Sequence, residues 1–359
     1  MQHFIRRYKE GYPVGKGLTV LVVTFCFFFT LSCRKNLYPA TPKDNELVIL
    51  AEITAGDSLK IPVSKSIQVG SGGIISFEEV KSASVMIFRP DGRSWMLRLN
   101  TSPDFSANPA SVYTAPQKPR YNTTYSLQVQ DPLSGTVTAQ TTIPSPIRIS
   151  HFDTSGDILY GVPVLKCQFT LTDSPDVNHY YVFEAVKQLV RLSHYFYWNG
   201  TRYNYDKPDG KRLYEQVKNS PGVRLLRDTL PTNIFNRLNI FTDDINVDNA
   251  QASSLDSPFR RIFLPGQFVS GQEYTASFSI DRKYFTADND SSRGRVLVQV
   301  KSVSPELYNY LFWYEKYKSD IGSVPPGQLY SPPGNIQNGL GIFGGSAKRE
   351  WVFYFDRLL

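Results

Sequence analysis

The chain has 359 residues, of which 41% are hydrophobic, 14% aromatic and 20% charged. That length and apolar content exclude a disordered or low-complexity chain and leave ample material for a packed core. The net charge of +7 comes from 39 basic against 32 acidic residues, scattered rather than gathered in a run, so nothing in the balance asks for nucleic acid.

Residues 1–32 follow the order of an export signal: basic Arg6, Arg7, Lys9 and Lys16, an apolar run from Leu18 to Leu31, then Ser32-Cys33. The apolar run is shorter than the roughly 20 residues a spanning helix needs, so a cleaved signal is expected rather than a permanent span. A signal peptidase accepts only a small side chain before its cut, which favours Cys33 after Ser32 over Cys26 after Phe25. Thr30-Leu31-Ser32-Cys33 resembles the lipobox of bacterial lipoproteins, with Thr30 where that pattern prefers leucine. The resemblance implies a lipid anchor, palmitate among its acyl chains, on Cys33. Loss of the signal removes four basic residues and one acid, so +7 becomes +4 and Cys167 is left as the only free thiol. No intramolecular disulfide is then possible. Leu165, Cys167, Phe169 and Leu171 alternate with polar neighbours, which places Cys167 in a core.

Residues 33–45 carry Pro39 and Pro42 and no apolar period, the composition of a tether. From 46 to 146, short β-branched and aromatic segments recur: Leu47 to Ile53, Ser84 to Phe88, Trp95 to Leu99, Thr124 to Gln130 and Thr136 to Ile143. Pro90-Asp91-Gly92-Arg93 and Asp131-Pro132-Leu133-Ser134-Gly135 are hairpin turns by composition. Tyr125, Leu127 and Val129 share one strand face, opposite Ser126 and Gln128, so one side is dry and the other wet. About a hundred residues of this kind predict an immunoglobulin-like β-sandwich.

The span 147–359 predicts a second, larger β domain, with strands near Val164 to Thr172, His179 to Val186, Tyr274 to Ile280 and Arg295 to Val303. Residues 204–252 read as loops with one helix around Asn233 to Leu238. A late helix is expected over 304–320, with Ser304 as cap, Pro305 in the first turn and Leu307, Leu311 and Tyr314 at helical spacing. The Gly-rich run Asn335 to Gly345 suggests tight bends or close packing, with Leu340, Ile342 and Phe343 buried. A final strand, Glu350 to Phe355, pairs back into this domain. The fold class is therefore all-β.

No metal-ligand histidine spacing, nucleophile elbow or phosphate-binding glycine loop is present, so neither catalytic residue nor cofactor is assigned. Asp244, Asn246 and Asp248 offer oxygens at alternate positions, a weak calcium pattern, but Leu255 stands where the bidentate glutamate belongs. The strongest surface feature is His194 to Tyr205, where Asn199-Gly200 joins two aromatic arms. Tyr195, Tyr197, Trp198 and Tyr203 are the candidate binding residues. Either a covering segment buries this hairpin or its open side is a ligand or partner platform.

Asn335-Ile336-Gln337-Asn338-Gly339-Leu340-Gly341-Ile342-Phe343-Gly344-Gly345, preceded by Val303-Ser304-Pro305-Glu306-Leu307-Tyr308-Asn309-Tyr310-Leu311, resembles a family of Bacteroidetes lipoproteins known as a domain of unknown function, forty-two forty-nine. Leu47 to Ile53, Tyr125-Ser126-Leu127, Asn178-His179-Tyr180-Tyr181 and Phe241-Thr242-Asp243-Asp244 extend the likeness over nearly all of the mature chain. The resemblance implies an outer-membrane location and a TonB-dependent receptor as partner. Arg34-Lys35-Asn36 departs from the acidic residues that direct surface display, so the surface and periplasmic faces both stay open. The expected role is a non-catalytic accessory to nutrient uptake, capturing a glycan or peptide or docking on the receptor. The alternatives are a structural or adhesive envelope protein and a glycan or peptide hydrolase with dispersed carboxylates.

Overall fold

A computed structural model describes residues 45–69, 74–101, 110–173, 179–248, 260–286, 294–320 and 332–354. The signal 1–32, Cys33 and the tether as far as residue 44 lie outside these. Among the described residues no helix is long and apolar enough to cross a membrane.

The N-terminal strands are β1 (Leu47–Thr54), β2 (Leu59–Val69), β3 (Ile74–Glu79), β4 (Ser84–Phe88), β5 (Ser94–Leu99), β6 (Ser111–Ala115), β7 (Thr123–Asp131) and β8 (Gly135–Ile143). The two expected hairpins form, with Phe88 opposite Ser94 and Asp131 opposite Gly135. Tyr125, Leu127 and Val129 are buried as their alternation requires. Their cluster also holds Ile49, Ile53, Ile61, Val85 and Ile87, and it takes Phe343 from the far end of the chain.

The remaining strands are β9 (Arg148–Leu159), β10 (Val162–Thr172), β11 (Tyr180–Trp198), β12 (Thr201–Asn204), β13 (Leu226–Arg237), β14 (Ile240–Phe241), β15 (Arg261–Pro265), β16 (Glu273–Asp281), β17 (Gly294–Val303) and β18 (Leu340–Tyr354). A four-stranded sheet, β14-β16-β10-β9, packs on β11, β15 and β17 through Cys167, Phe169, Phe183 and Phe278. Cys167 is fully buried, and burial pushes its thiol pKa up to about 12, which makes it a packing residue rather than a nucleophile.

The last strand is longer than its sequence suggests. β18 runs antiparallel to β17 and parallel to β1, with Val48 opposite Leu340 and Thr54 opposite Ser346. One path, β12-β11-β17-β18-β1-β2-β6-β5-β4-β7-β8, therefore crosses the chain's two halves within one 14-stranded sheet. Residues 340–345 of the Gly-rich run are part of this strand, and its glycines serve close approach. A Cβ on Gly344 would fall 2.6 Å from Leu307 Cβ, and one on Gly345 would fall 2.7 Å from the Thr142 carbonyl.

Two α-helices are present among the described residues: α1 (Pro208–Val217) and α2 (Pro305–Asp320). The late helix stands where expected, but Ser304 does not cap it through its side chain. Thr141 Oγ1 donates to Glu306 at 2.6 Å, so the Ser304 hydroxyl donates in turn to Thr141 Oγ1 at 3.2 Å and accepts from the Gly345 backbone N–H at 3.3 Å. The helix expected around Asn233 to Leu238 is corrected: this stretch belongs to β13, hydrogen-bonded to β11 from Arg237 opposite Val186 to Leu226 opposite Tyr195. A short apolar run has no intrinsic choice between helix and strand, and the open edge of a 19-residue strand decides it. The helix in this region is α1 instead.

Candidate binding site

β11 outgrows its sheet. Among the described residues its pairing with β17 runs as far as Leu189 opposite Gly294, and beyond that point only β13 and β12 flank it. Asn199 (φ 49°) and Gly200 (φ 76°) close the tip, both in the left-handed region that a two-residue type I′ turn demands. The turn fixes register, setting Phe196 opposite Tyr203 and Tyr197 opposite Arg202.

The two faces of this tip differ. On one, fully buried Phe196 stacks on Tyr203 with centroids 5.5 Å apart and meets Tyr214 of α1 edge-on at 5.1 Å. Tyr205 adds a second edge contact to Tyr214 at 5.2 Å. Helix α1 is thus the cover that so aromatic a hairpin requires. At its start, Asp206 accepts from the His194 backbone N–H at 2.9 Å, and that bond first of all holds the Asp206 carboxyl below its usual pKa. On the other face Tyr195 and Tyr197 pack edge to face at 5.8 Å, and the Arg202 guanidinium lies 3.9 Å over the Tyr195 ring. Arg202 also donates to Asp228 on β13 at 2.9 Å. Tyr197 remains 49% exposed.

The four candidate residues therefore separate. Tyr195 and Tyr197 share the open face, Tyr203 joins the covered one, and Trp198, paired with Thr201, stands half-buried beside the turn. Arg202 and Asp228 are additions. Arg202 was accessible from the Asn-Gly register alone, because a two-residue turn sets it opposite Tyr197; Asp228 lies one strand further and was not. Aromatic rings with an adjacent guanidinium form a surface suited to sugar faces and apolar or cationic side chains.

The weak calcium pattern does not converge. Asp244 accepts from Tyr274 Oη at 2.7 and 2.6 Å through its two oxygens, and Asn246 Nδ2 donates to the same phenol at 3.1 Å. Asp248 instead accepts from Tyr308 Oη at 2.5 Å. Burial first, then the Asp244 bond, pushes the Tyr274 hydroxyl up to about 12, so it stays a donor. Among the described residues no three His, Cys, Asp or Glu side chains are grouped to hold a metal ion.

The densest charge cluster lies inside the molecule. Glu184 on β11 accepts from Lys301 at 2.6 Å through one oxygen, and from Arg237 at 2.9 Å and Arg261 at 3.2 Å through the other. Arg261 donates onward to Glu315 of α2 at 2.6 Å, and Lys301 lies 3.2 Å from Glu52 of β1. Burial alone would raise the Glu184 carboxyl, but Lys301, Arg237 and Arg261 together hold it well below the usual carboxylate range. Three carboxylates meet three cations, a compensated cluster that ties strands to helix and leaves no charge for a substrate. A smaller buried cluster joins Asp173 to His179 Nδ1 and to Tyr181 Oη, which donates to it at 2.8 Å.

The chain belongs to the family described as "Domain of unknown function (DUF4249)", whose model matches residues 35–351. No curated protein matches it. Two solved structures were aligned with it. One is a chain from work on manganese lipoxygenase of Gaeumannomyces graminis and zonadhesin of Komagataella pastoris, at 9% identity, covering 87% of this chain and 94% of that one, with a TM-score of 0.18. The other is the Enterococcus faecalis MSCRAMM ACE, at 10% identity, covering 72% and 88%, with a TM-score of 0.13. Scores this low carry no argument about fold or function.

Proposed function

We propose that this chain is a lipid-anchored protein of the outer membrane that works without catalysis of its own, as an accessory to TonB-dependent uptake. In this reading Cys33 holds the anchor, residues 34–45 tether the body, and the open face of the β11–β12 hairpin engages a glycan or peptide, or the receptor itself. One observation carries it: the hairpin projects past its sheet, α1 covers one face, and Tyr195, Tyr197 and Arg202 are left together on the other. A fold with no use for that face would cover it or place polar side chains there.

The test is crosslinking in the native envelope with wild type and a Tyr197→Ala, Arg202→Ala double variant. Wild type is expected to capture a TonB-dependent receptor or its cargo, and the variant to lose that capture at an unchanged melting temperature. Equal capture by both proteins removes the hairpin from the interaction and sinks the proposal.

A further inference from the structure

The connector Pro144-Ser145-Pro146, the start of β9 and the later part of β18 enclose a cleft of about 450 Å³. Small-ligand sites fall in the range of about 300–1,000 Å³. β9 is the outermost strand of its sheet, so the cleft opens beside an unpaired edge. Its lining includes Arg148 and Arg349 and no acidic residue. Neither guanidinium has a hydrogen bond, ion pair or ring contact with a side chain among the described residues. Two other surface arginines are by contrast paired, Arg202 with Asp228 and Arg212 with Asp209.

The neutral part of the lining is as particular. Ser145 Oγ donates to Asn122 Oδ1 at 2.7 Å, and Ser150 Oγ donates to the Thr170 carbonyl at 3.4 Å. Both hydroxyls are thereby fixed as acceptors toward the cleft's contents, while the Asn122 amide nitrogen and the Thr172 hydroxyl have no protein partner among the described residues. A bare oxyanion uses donors only. Cationic forks beside fixed acceptors call for a ligand with an anionic group and hydroxyls together.

We propose that this cleft binds a hydroxylated organic anion, with Arg148 and Arg349 holding its oxyanion and Asn122, Ser145, Ser150 and Thr172 its hydroxyls. An acidic sugar or a polyol phosphate has this chemistry. The site shares no residue with the aromatic hairpin, so it stands or falls separately from the proposed docking role.

Isothermal titration of the full chain with glucuronate, glycerol phosphate and glucose tests it. At least one anion binds and glucose does not; the tighter of the two anions distinguishes a carboxylate from a phosphate source. Added salt weakens binding, and Arg148→Gln or Arg349→Gln weakens it about tenfold or more, the loss expected for a charge-assisted hydrogen bond. Both side chains are exposed, so the variants melt as wild type does. Absence of heat with both anions overturns the proposal, as does equal binding of glucose or unchanged affinity in both arginine variants.

Discussion

Glu184 stands in Tyr181-Val182-Phe183-Glu184-Ala185-Val186, a run in which every residue is buried. A carboxylate in such a run has no water to stabilise it, and three cations take that place. Removing its charge by Glu184→Gln leaves Lys301 and Arg261 under-compensated where they are 11% and 5% exposed. Losing one partner of a buried pair costs about 3–5 kcal/mol, so urea unfolding of Glu184→Gln is expected to show a loss of that order. An unchanged midpoint would mean that water reaches the cluster. The pH dependence follows from the same charges. The Glu184 and Glu52 carboxyls are held below their ordinary value of 4.5, so their contribution is complete above that pH and is lost as pH falls through the lowered values. The Lys301 ammonium is raised above 10.5 by Glu184 and Glu52 against the effect of burial, so its contribution is complete below that pH and is lost as pH rises through the raised value. The charge of Glu184 amid apolar residues was legible in the sequence. Its partners were not, because Glu52, Arg237, Arg261 and Lys301 come from four other strands that only the fold assembles.

At the level of elements, the aromatic hairpin was legible because Asn199-Gly200 fixes both turn and register. Its cover was hidden. Helix α1 begins Pro208-Asp209-Gly210, where Gly disfavours helix by about 1 kcal/mol relative to Ala and Lys207 provides no side-chain cap. Gly210 is there for space: a Cβ would fall 1.8 Å from the Asn204 carbonyl oxygen at the end of β12. Gly210→Ala is therefore expected to reverse the usual helix rule. Propensity favours the alanine by about 1 kcal/mol, whereas forcing backbone apart costs typically 1–3 kcal/mol, and the clash here is with backbone rather than a side chain that can turn away. Thermal melting should show net destabilisation, with faster amide exchange at Phe196 and Tyr203 as α1 loosens from the tip. A rise in melting temperature would mean that α1 is not held against Asn204. The same reasoning separates Tyr203 from Tyr197: the first depends on α1 for its surroundings, the second does not.

For the molecule as a whole, the sequence shows two β-rich stretches meeting at Pro144-Ser145-Pro146, and the buried clusters do divide near that point. The parallel pairing of β1 with β18 was not legible. Alternation specifies a strand's faces but not its neighbour, and Gly341, Gly344 and Gly345 disguise β18 as a loop. That pairing has a mechanical consequence. Leu47, Ile49, Ala51 and Ile53 of β1 pack in the N-terminal core, but β1's outer edge is hydrogen-bonded to residues 340–346, and Phe343 enters the same core fully buried. Residues 46–146 alone would expose that edge and leave a void where a phenylalanine was, a loss of about 3–5 kcal/mol for the side chain alone, comparable to much of a small domain's stability. The fragment is therefore expected to melt far below the full chain or to associate through β1, whereas the full chain loses both clusters in one calorimetric transition. A peptide spanning 335–354 added in trans should restore part of the fragment's stability by refilling the edge. If the fragment instead melts at the full chain's temperature without the peptide, β18 adds nothing to the first core and the continuous sheet is a contact of convenience.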